Sequence, residues 1–414
     1  MNNFFKKVLL TLIALLAIFL SAPAVLASDA AAVTALSGIE IACVLEHNDY
    51  GSYIEDRITL LPSADDYAAI YARSENGVLN LTHENYGGLK EVSLDISLNT
   101  LLALEGLKGV RFQASYYASE IPVEVLLKYD DSGVETLRFV HSHLDYVTIQ
   151  PIDRSGNIIN CIDYRYPILF EMQYSPYEGE RHFSVGIFKM GQNEADLIGI
   201  PRSYYGGDGM VYGKSYSAGV YGLLGFSGLN GDYNDTNALP VDEAAKYLTA
   251  RRVIHGVAQG YFAPDRNATR AEFVTLLMRM LQYYPADAKA AEFLDYGSLP
   301  EWSVDEINAA YRLRIVTGKS YGGVGCYFAE APITREEMYA IAYRALSEFN
   351  MIDEAQNEID FEDGGDISDY ALQAVAALTE AGLVKAENGV LKPKSIVKRA
   401  EAAQFIYEIL LYDR

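Results

Sequence analysis

A four-residue phrase recurs three times in the second half of the chain, and this recurrence constrains the fold more than any other feature. Thr269-Arg270-Ala271-Glu272 returns as Thr334-Arg335-Glu336-Glu337 and as Lys398-Arg399-Ala400-Glu401, with the arginines 65 and 64 residues apart. The same series of signals precedes each copy. An aromatic, a spacer and an aspartate open it: Tyr233-Asn234-Asp235, Phe293-Leu294-Asp295 and Phe361-Glu362-Asp363. A helix follows and closes on a short turn, at residues 252–256, 314–318 and 382–386. An apolar anchor, Phe262, Phe328 or Leu391, then leads into the phrase and a second amphipathic helix. In the first copy Phe273, Leu276, Leu277 and Met280 give that helix its apolar face. The period is longer than those of the usual solenoid units, so three helix-loop-helix copies are expected to close into an array rather than stack openly.

The phrase itself reads as a helix start. In a capping box the threonine hydroxyl accepts from the backbone N–H three residues on, and the glutamate reaches back to the threonine N–H. Thr269 with Glu272 and Thr334 with Glu337 fit that pattern. Lys398 has no acceptor, so the box before Glu401 is expected to be broken. Arg270, Arg335 and Arg399 then stand at the first helical position, where the dipole disfavours a cation. A guanidinium beside free N–H groups suits a carboxylate or phosphate. The alternative is an arginine exposed to solvent or paired with an acid of the next copy. Arg270 has an intact box and no acid beside it, so it is expected to matter most for a ligand; Glu336 is expected to neutralise Arg335.

Taken together, the three copies resemble S-layer homology repeats. The shared marks are the aromatic-x-aspartate opening, the Phe262-Ala263-Pro264 and Leu391-Lys392-Pro393 loops, Trp302-Ser303 at a helix start, and the arginine phrase. The resemblance implies an all-α, pseudo-threefold bundle of repeats at 233–290, 291–352 and 353–414. It also implies non-covalent attachment to a pyruvylated secondary polysaccharide of a bacterial cell wall. By position, Arg270, Arg335, Arg399 and Trp302 would meet that polymer. Thr269, Glu272, Thr334, Glu337, Glu401, Asp235, Asp295 and Asp363 would hold the repeats in shape. Arg252 and Arg314 depart from the family by standing where glycine is frequent.

The front of the chain reads differently. Lys6 and Lys7, the apolar run from Val8 to Leu20 and the small residues ending at Ala27 form a signal peptide, residues 1–27. An uncleaved anchor is the alternative, but Pro23 and small residues occupy the second part of the stretch. Residues 28–37 are alanine-rich and read as a linker. Residues 38–232 carry short β-branched and aromatic runs between turn signals, and read as a mainly-β region of one or two modules. "EIPVEVLLKY" is read as a strand and "NTLLALEGL" as a short helix.

Composition sets the chemistry that is excluded. The 414 residues carry a net charge of −23, which loss of Lys6 and Lys7 takes to −25. Nucleic acid is therefore not the expected partner, and neither is a membrane after signal cleavage. Three cysteines make no disulfide framework or zinc site; Cys43 and Cys161 are able to pair, and the sequence does not decide it. No nucleophile elbow, His-Glu-x-x-His or phosphate loop is present. His141, His143 and Asp145 would share one strand face but read as a solvated face rather than a metal site, and His47, Asp49 and Glu55 are weaker still. The tyrosine-rich stretch 203–222 reads as a glycine-turned hairpin, with a sugar platform as the alternative. The expectation is a non-catalytic surface protein without cofactor or metal, with other surface proteins as secondary partners. A wall-anchored glycan-active enzyme or adhesin acting through residues 38–231 is the alternative.

Overall fold

The computed structural model describes residues 28–49, 54–74, 76–83, 89–114, 116–142, 146–159, 165–175, 185–190, 197–225, 233–283, 290–321, 324–357, 360–384 and 386–413. The signal-peptide reading falls outside these residues, as do Cys161, His143 and Asp145. The chain divides into two compact units, Met1–Gly225 and Phe226–Arg414.

In chain order the first unit holds β1 (Ser28–Leu36), β2 (Ile39–Asp49), β3 (Ile54–Leu61), α1 (Ala64–Tyr71), β4 (Val78–His83), β5 (Leu89–Ser97), α2 (Leu98–Leu102), β6 (Gly109–Ala114), β7 (Tyr117–Pro122) and α3 (Val123–Asp131). There follow β8 (Val134–Ser142), β9 (Tyr146–Asp153), β10 (Ile168–Gln173), β11 (Val185–Met190), β12 (Leu197–Gly199), β13 (Ser203–Tyr205), β14 (Met210–Ser215) and β15 (Gly219–Gly225). They form a nine-stranded sheet, ordered β1-β2-β3-β5-β8-β9-β15-β11-β12, and a six-stranded sheet, ordered β13-β14-β10-β7-β6-β4. The pairs β3–β5 and β4–β6 are parallel, as crossovers through α1 and α2 require; the other named pairs are antiparallel. Alternation along each strand sends one apolar set inward. Leu60, Leu94, Ile96 and Phe139 of the large sheet meet Val110, Phe112, Ile121 and Phe170 of the small one in a single core. The sheets approach closely at Gly213, where a Cβ would lie 2.6 Å from Cδ1 of Ile187.

Three local expectations change here. The alanine-rich stretch read as a linker is β1, paired antiparallel with β2 from Ser28 against Glu46 to Leu36 against Ile39. Alanine is a poor strand former, and the neighbouring strand overrides its propensity. Val123–Asp131, read as part of a strand, is α3: Val125, Leu126 and Tyr129 are buried at helical spacing, which outweighs the valines. His141 does not lie on a solvated face. It is 2% exposed, its ring packs 4.7 Å from that of Phe112, and Nε2 lies 3.2 Å from Ser119 Oγ. The tyrosine-rich stretch does form a hairpin, β13–β14, turned by Gly206–Gly209, with the Tyr204 and Tyr212 rings stacked at 5.5 Å.

The second unit holds α4 (Asp242–Ala250), α5 (Arg270–Leu281), α6 (Val304–Arg312), β16 (Lys319–Tyr321), β17 (Val324–Cys326), α7 (Arg335–Glu348), α8 (Asp369–Glu380) and α9 (Arg399–Tyr412). The β16–β17 hairpin departs from the all-α expectation. The second helix of each copy packs against the first helix of the next: α5 on α6, α7 on α8, and α9 back on α4. The segments before α5, α7 and α9 join in a cycle of backbone bonds. Ala268 N–H donates to Val397, Val397 to Ile333 and Ile333 to Ala268, at 2.9, 3.0 and 3.0 Å. All three residues are buried, so the cycle is shielded from water.

Candidate functional site: a groove lined by all three copies

The capping boxes form where the sequence places them. Thr269 Oγ1 accepts from Glu272 N–H at 3.2 Å, and Glu272 accepts from Thr269 N–H at 3.0 Å. Thr334 and Glu337 repeat the pair at 3.4 and 3.3 Å. In the third copy Glu401 accepts from Lys398 N–H at 2.7 Å, while the lysine ammonium donates to Asn267. Only the glutamate half of that box exists.

The helix N-termini are not open to a ligand. The N–H groups of Arg270 and Ala271 donate to the carbonyls of Ala331 and Ala329, those of Arg335 and Glu336 to Ser395 and Pro393, and those of Arg399 and Ala400 to Arg266 and Pro264. Each helix start is capped by a neighbouring copy's loop. The arginines follow the same path. Arg270 Nε donates to the Tyr327 carbonyl at 3.0 Å, and its Nη1 lies 3.4 Å from Glu337. Arg335 reaches the Leu391 carbonyl at 2.6 Å and Glu401 at 2.5 Å. Arg399 Nε donates to the Phe262 carbonyl at 2.9 Å, Nη1 lies 3.4 Å from Glu272, and Nη2 donates to the His255 carbonyl. Every arginine of the phrase thus pairs with the capping glutamate of the following copy, and the third pairs with the first.

The aspartates anchor the loops that receive them. Asp235 accepts from the N–H groups of Phe262 and Ala263, Asp295 from Tyr327 and Phe328, and Asp363 from Leu391 and Lys392, all at 2.7–2.9 Å. This register corrects one anchor: Tyr327, fully buried, is the counterpart of Phe262 and Leu391, whereas Phe328 is 37% exposed. Ala263, Phe328 and Lys392 adopt φ of +60°, +56° and +58°, a left-handed turn that the aspartate bonds hold. Asp295→Ala is therefore expected to destabilise the second unit by about 2 kcal/mol, since two backbone donors lose a charged acceptor. Urea unfolding followed by far-UV circular dichroism measures it, and an unchanged midpoint contradicts the assignment. Arg252 and Arg314 take φ of +57° and +58° where Gly382 takes +74°, so arginine occupies the left-handed position at a local cost.

Beside α5 these contacts leave a groove of about 620 Å³. The first copy contributes the turn from Val253 to Val257 and the side chains of Arg266, Thr275 and Arg279; the second contributes Trp302 and Glu330; the third contributes Arg399. Gly256 is obligatory in the turn, where a Cβ would stand 2.7 Å from both the Tyr233 ring and the Tyr261 carbonyl. Three guanidiniums face two carboxylates, Glu272 and Glu330. Glu272 is shared by Arg266 and Arg399, and Arg279 donates to Glu306 at 2.7 Å. Burial and the nearby Arg279, Arg252 and Arg399 hold the His255 imidazole below its usual pKa. Among the described residues Arg399 uses three of its five N–H donors, leaving two. Thr275 Oγ1 is buried and has no partner among the described residues, and Trp302 is 49% exposed. Of the predicted ligand residues, the groove gathers Arg399 and Trp302 together with Thr269 and Glu272, but not Arg270 or Arg335. Sequence reading missed Arg279, Thr275 and His255. Arg279 stands nine residues after the phrase arginine, two and a half turns along and so on the opposite face of the helix, a spacing that was available as a signal.

The family model described as S-layer homology domain matches residues 232–274 and 360–403. These two stretches are S-layer homology domains, and their presence is in keeping with a place at the cell surface in association with the wall. The copy built around Thr334 lies between the two matched stretches. The chain is 33% identical over 183 residues to an amylopullulanase of Thermoanaerobacterium thermosulfurigenes, covering 43% of this chain and 9% of that protein. It is 31% identical over 180 residues to exoglucanase XynX of Acetivibrio thermocellus, covering 43% of this chain and 16% of the relative. A cell surface protein of Thermoanaerobacter kivui is 30% identical over 110 residues, 26% of this chain and 14% of that one. The chain therefore spans less than a fifth of the length of each of these relatives.

Proposed function

We propose that residues 233–414 form a pseudo-threefold bundle of three repeats that anchors an exported protein non-covalently to the bacterial wall. The ligand is an anionic, pyruvylated secondary polysaccharide, held in the groove beside α5. The observation that carries this reading is the groove itself: a cationic, open cleft with an exposed tryptophan, on a chain of net charge −23. The guanidinium donors suit a pyruvyl carboxylate, and Trp302 offers an aromatic face to a sugar ring. The resemblance to S-layer homology repeats supports the polymer class, and the excess of guanidiniums over carboxylates in the lining favours an anion. Cleavage after Ala27 would leave β1 whole, since it begins at Ser28.

We assign the first unit a non-catalytic display role. The second reading, a glycan-active enzyme or adhesin in that unit, draws on the relatives, which include an amylopullulanase and an exoglucanase. Their similarity covers the repeat region alone, so it transfers the anchor and not the activity.

Trp302→Ala tests the anchor with little risk to the fold, because the side chain is half exposed. Sedimentation with purified walls is expected to weaken several-fold, about 1 kcal/mol. Chemical removal of pyruvyl groups is expected to abolish sedimentation of the parent. Parental binding by the variant, together with undiminished binding to depyruvylated walls, would reject the reading.

A further inference from the structure

The three copies share one register, so the residues lining the groove beside α5 have counterparts elsewhere. Trp302 corresponds to Tyr370, Glu330 to Lys394, Arg399 to Arg270 and Arg279 to Arg344. Ala271, small in the first copy, corresponds to Glu336 in the second. That glutamate does not neutralise the adjacent Arg335, whose partner is Glu401. Its carboxylate turns to the third copy, and the residue is 4% exposed. It accepts from Lys394 Nζ at 2.7 and 2.8 Å, Tyr370 OH at 2.9 Å, Ser368 N–H at 3.0 Å and Ser368 Oγ at 3.1 Å. Both carboxylate oxygens are saturated by donors from two separate segments. Two of those donors, Tyr370 and Lys394, stand where Trp302 and Glu330 line the open groove.

We propose that Ser368, Tyr370 and Lys394 form a second carboxylate site, and that the chain fills it with its own Glu336. The groove beside α7 is a receptor for a carboxylate, and the side chain plays the part that an external ligand plays beside α5. This rests on the functional reading above only in identifying the α5 groove as the open one. The third groove is set apart by charge, because Glu408 occupies the position of Arg279 and Arg344. Among the described residues, the groove beside α5 is accordingly the one presented to an external anion. Internal occupancy of the second keeps copies 2 and 3 locked together whether or not polymer is bound.

Chemical rescue tests the site without reference to the wall. In the full chain, Glu336→Ala removes the carboxylate and leaves Lys394, Tyr370 and Ser368 facing a vacated space. The thermal midpoint is expected to fall by several degrees, and acetate or formate is expected to restore it saturably. Chloride at equal ionic strength is not expected to do so. Lys394→Ala in the same background is expected to remove the rescue. Glu336→Gln, which keeps the volume, serves where the alanine variant is too unstable to purify, and is expected to show a smaller loss and no rescue. Rescue that fails in folded Glu336→Ala, or that survives Lys394→Ala, overturns the proposal. Calorimetry with a pyruvate-ketal glycoside gives the second arm, with one equivalent expected for the parent and two for Glu336→Ala. Absence of glycoside binding to the parent alongside successful acetate rescue rejects the wall reading and leaves the internal site standing.

Discussion

Arg399→Ala is expected to destabilise the second unit by about 3–5 kcal/mol and to abolish wall binding, because it strips a buried guanidinium from Glu272 and two carbonyls at once. Arg399 is 6% exposed, lies over the Phe262 ring with its guanidinium carbon 4.9 Å from the centroid, and lines the α5 groove. Arg270→Ala is expected to cost similar stability, since Arg270 is equally buried against Tyr327 and Glu337. It should nonetheless retain binding at temperatures where circular dichroism shows it folded, because Arg270, unlike Arg399, does not line the α5 groove. Urea unfolding gives the stabilities and wall sedimentation at low temperature gives the binding. The assignment fails if Arg270→Ala loses binding while folded Arg399→Ala keeps it.

The first unit is expected to lose stability in mild acid through His141. Burial pushes the pKa of this imidazole down to about 3 from an ordinary value of 6.5, outweighing the backbone contacts at Tyr117 and Ala114 that favour the proton. Below 6.5 the unfolded chain binds a proton that the folded unit refuses until about pH 3. The stabilisation is therefore complete above 6.5 and is lost as pH falls, at about 1.4 kcal/mol per unit, or about 3 kcal/mol by pH 4.5. Carboxylates held below their usual range, such as Asp153, Asp235 and Glu337, add their own losses at lower pH. His141→Leu isolates the histidine: its stability should depend on pH less steeply than the parent's between 6.5 and 4.5. Parallel pH profiles for the two proteins would show that the buried imidazole contributes nothing.

What the sequence determined by itself was local or periodic. The three copies were legible because a phrase, an aspartate and a turn recur at fixed offsets. The capping boxes at Thr269 and Thr334 were legible because each closes within four residues. The short helix Leu98–Leu102 and the hairpin at Gly206–Gly209 were announced by their own residues. Tertiary structure decided everything whose partner lies far along the chain. Tyr327, not Phe328, became the anchor because Asp295, 32 residues before Tyr327, accepts from both N–H groups and holds Phe328 in the left-handed turn, which leaves Tyr327 buried and Phe328 exposed. The alanines of β1 became a strand because β2 offered a ladder, and His141 went inward because Phe112 and Ser119 met it from the opposite sheet. The phrase arginines show the division most sharply. Their position at a helix start is local, but Arg399 meets Glu272 across 127 residues and Arg335 meets Glu401 across 66. Closure of the last helix onto the first set those pairs, handed the α5 groove to Arg399 rather than Arg270, and turned Glu336 toward Lys394. A capping box is fixed by the geometry of one helical turn, whereas a groove between copies exists only once the ring has closed.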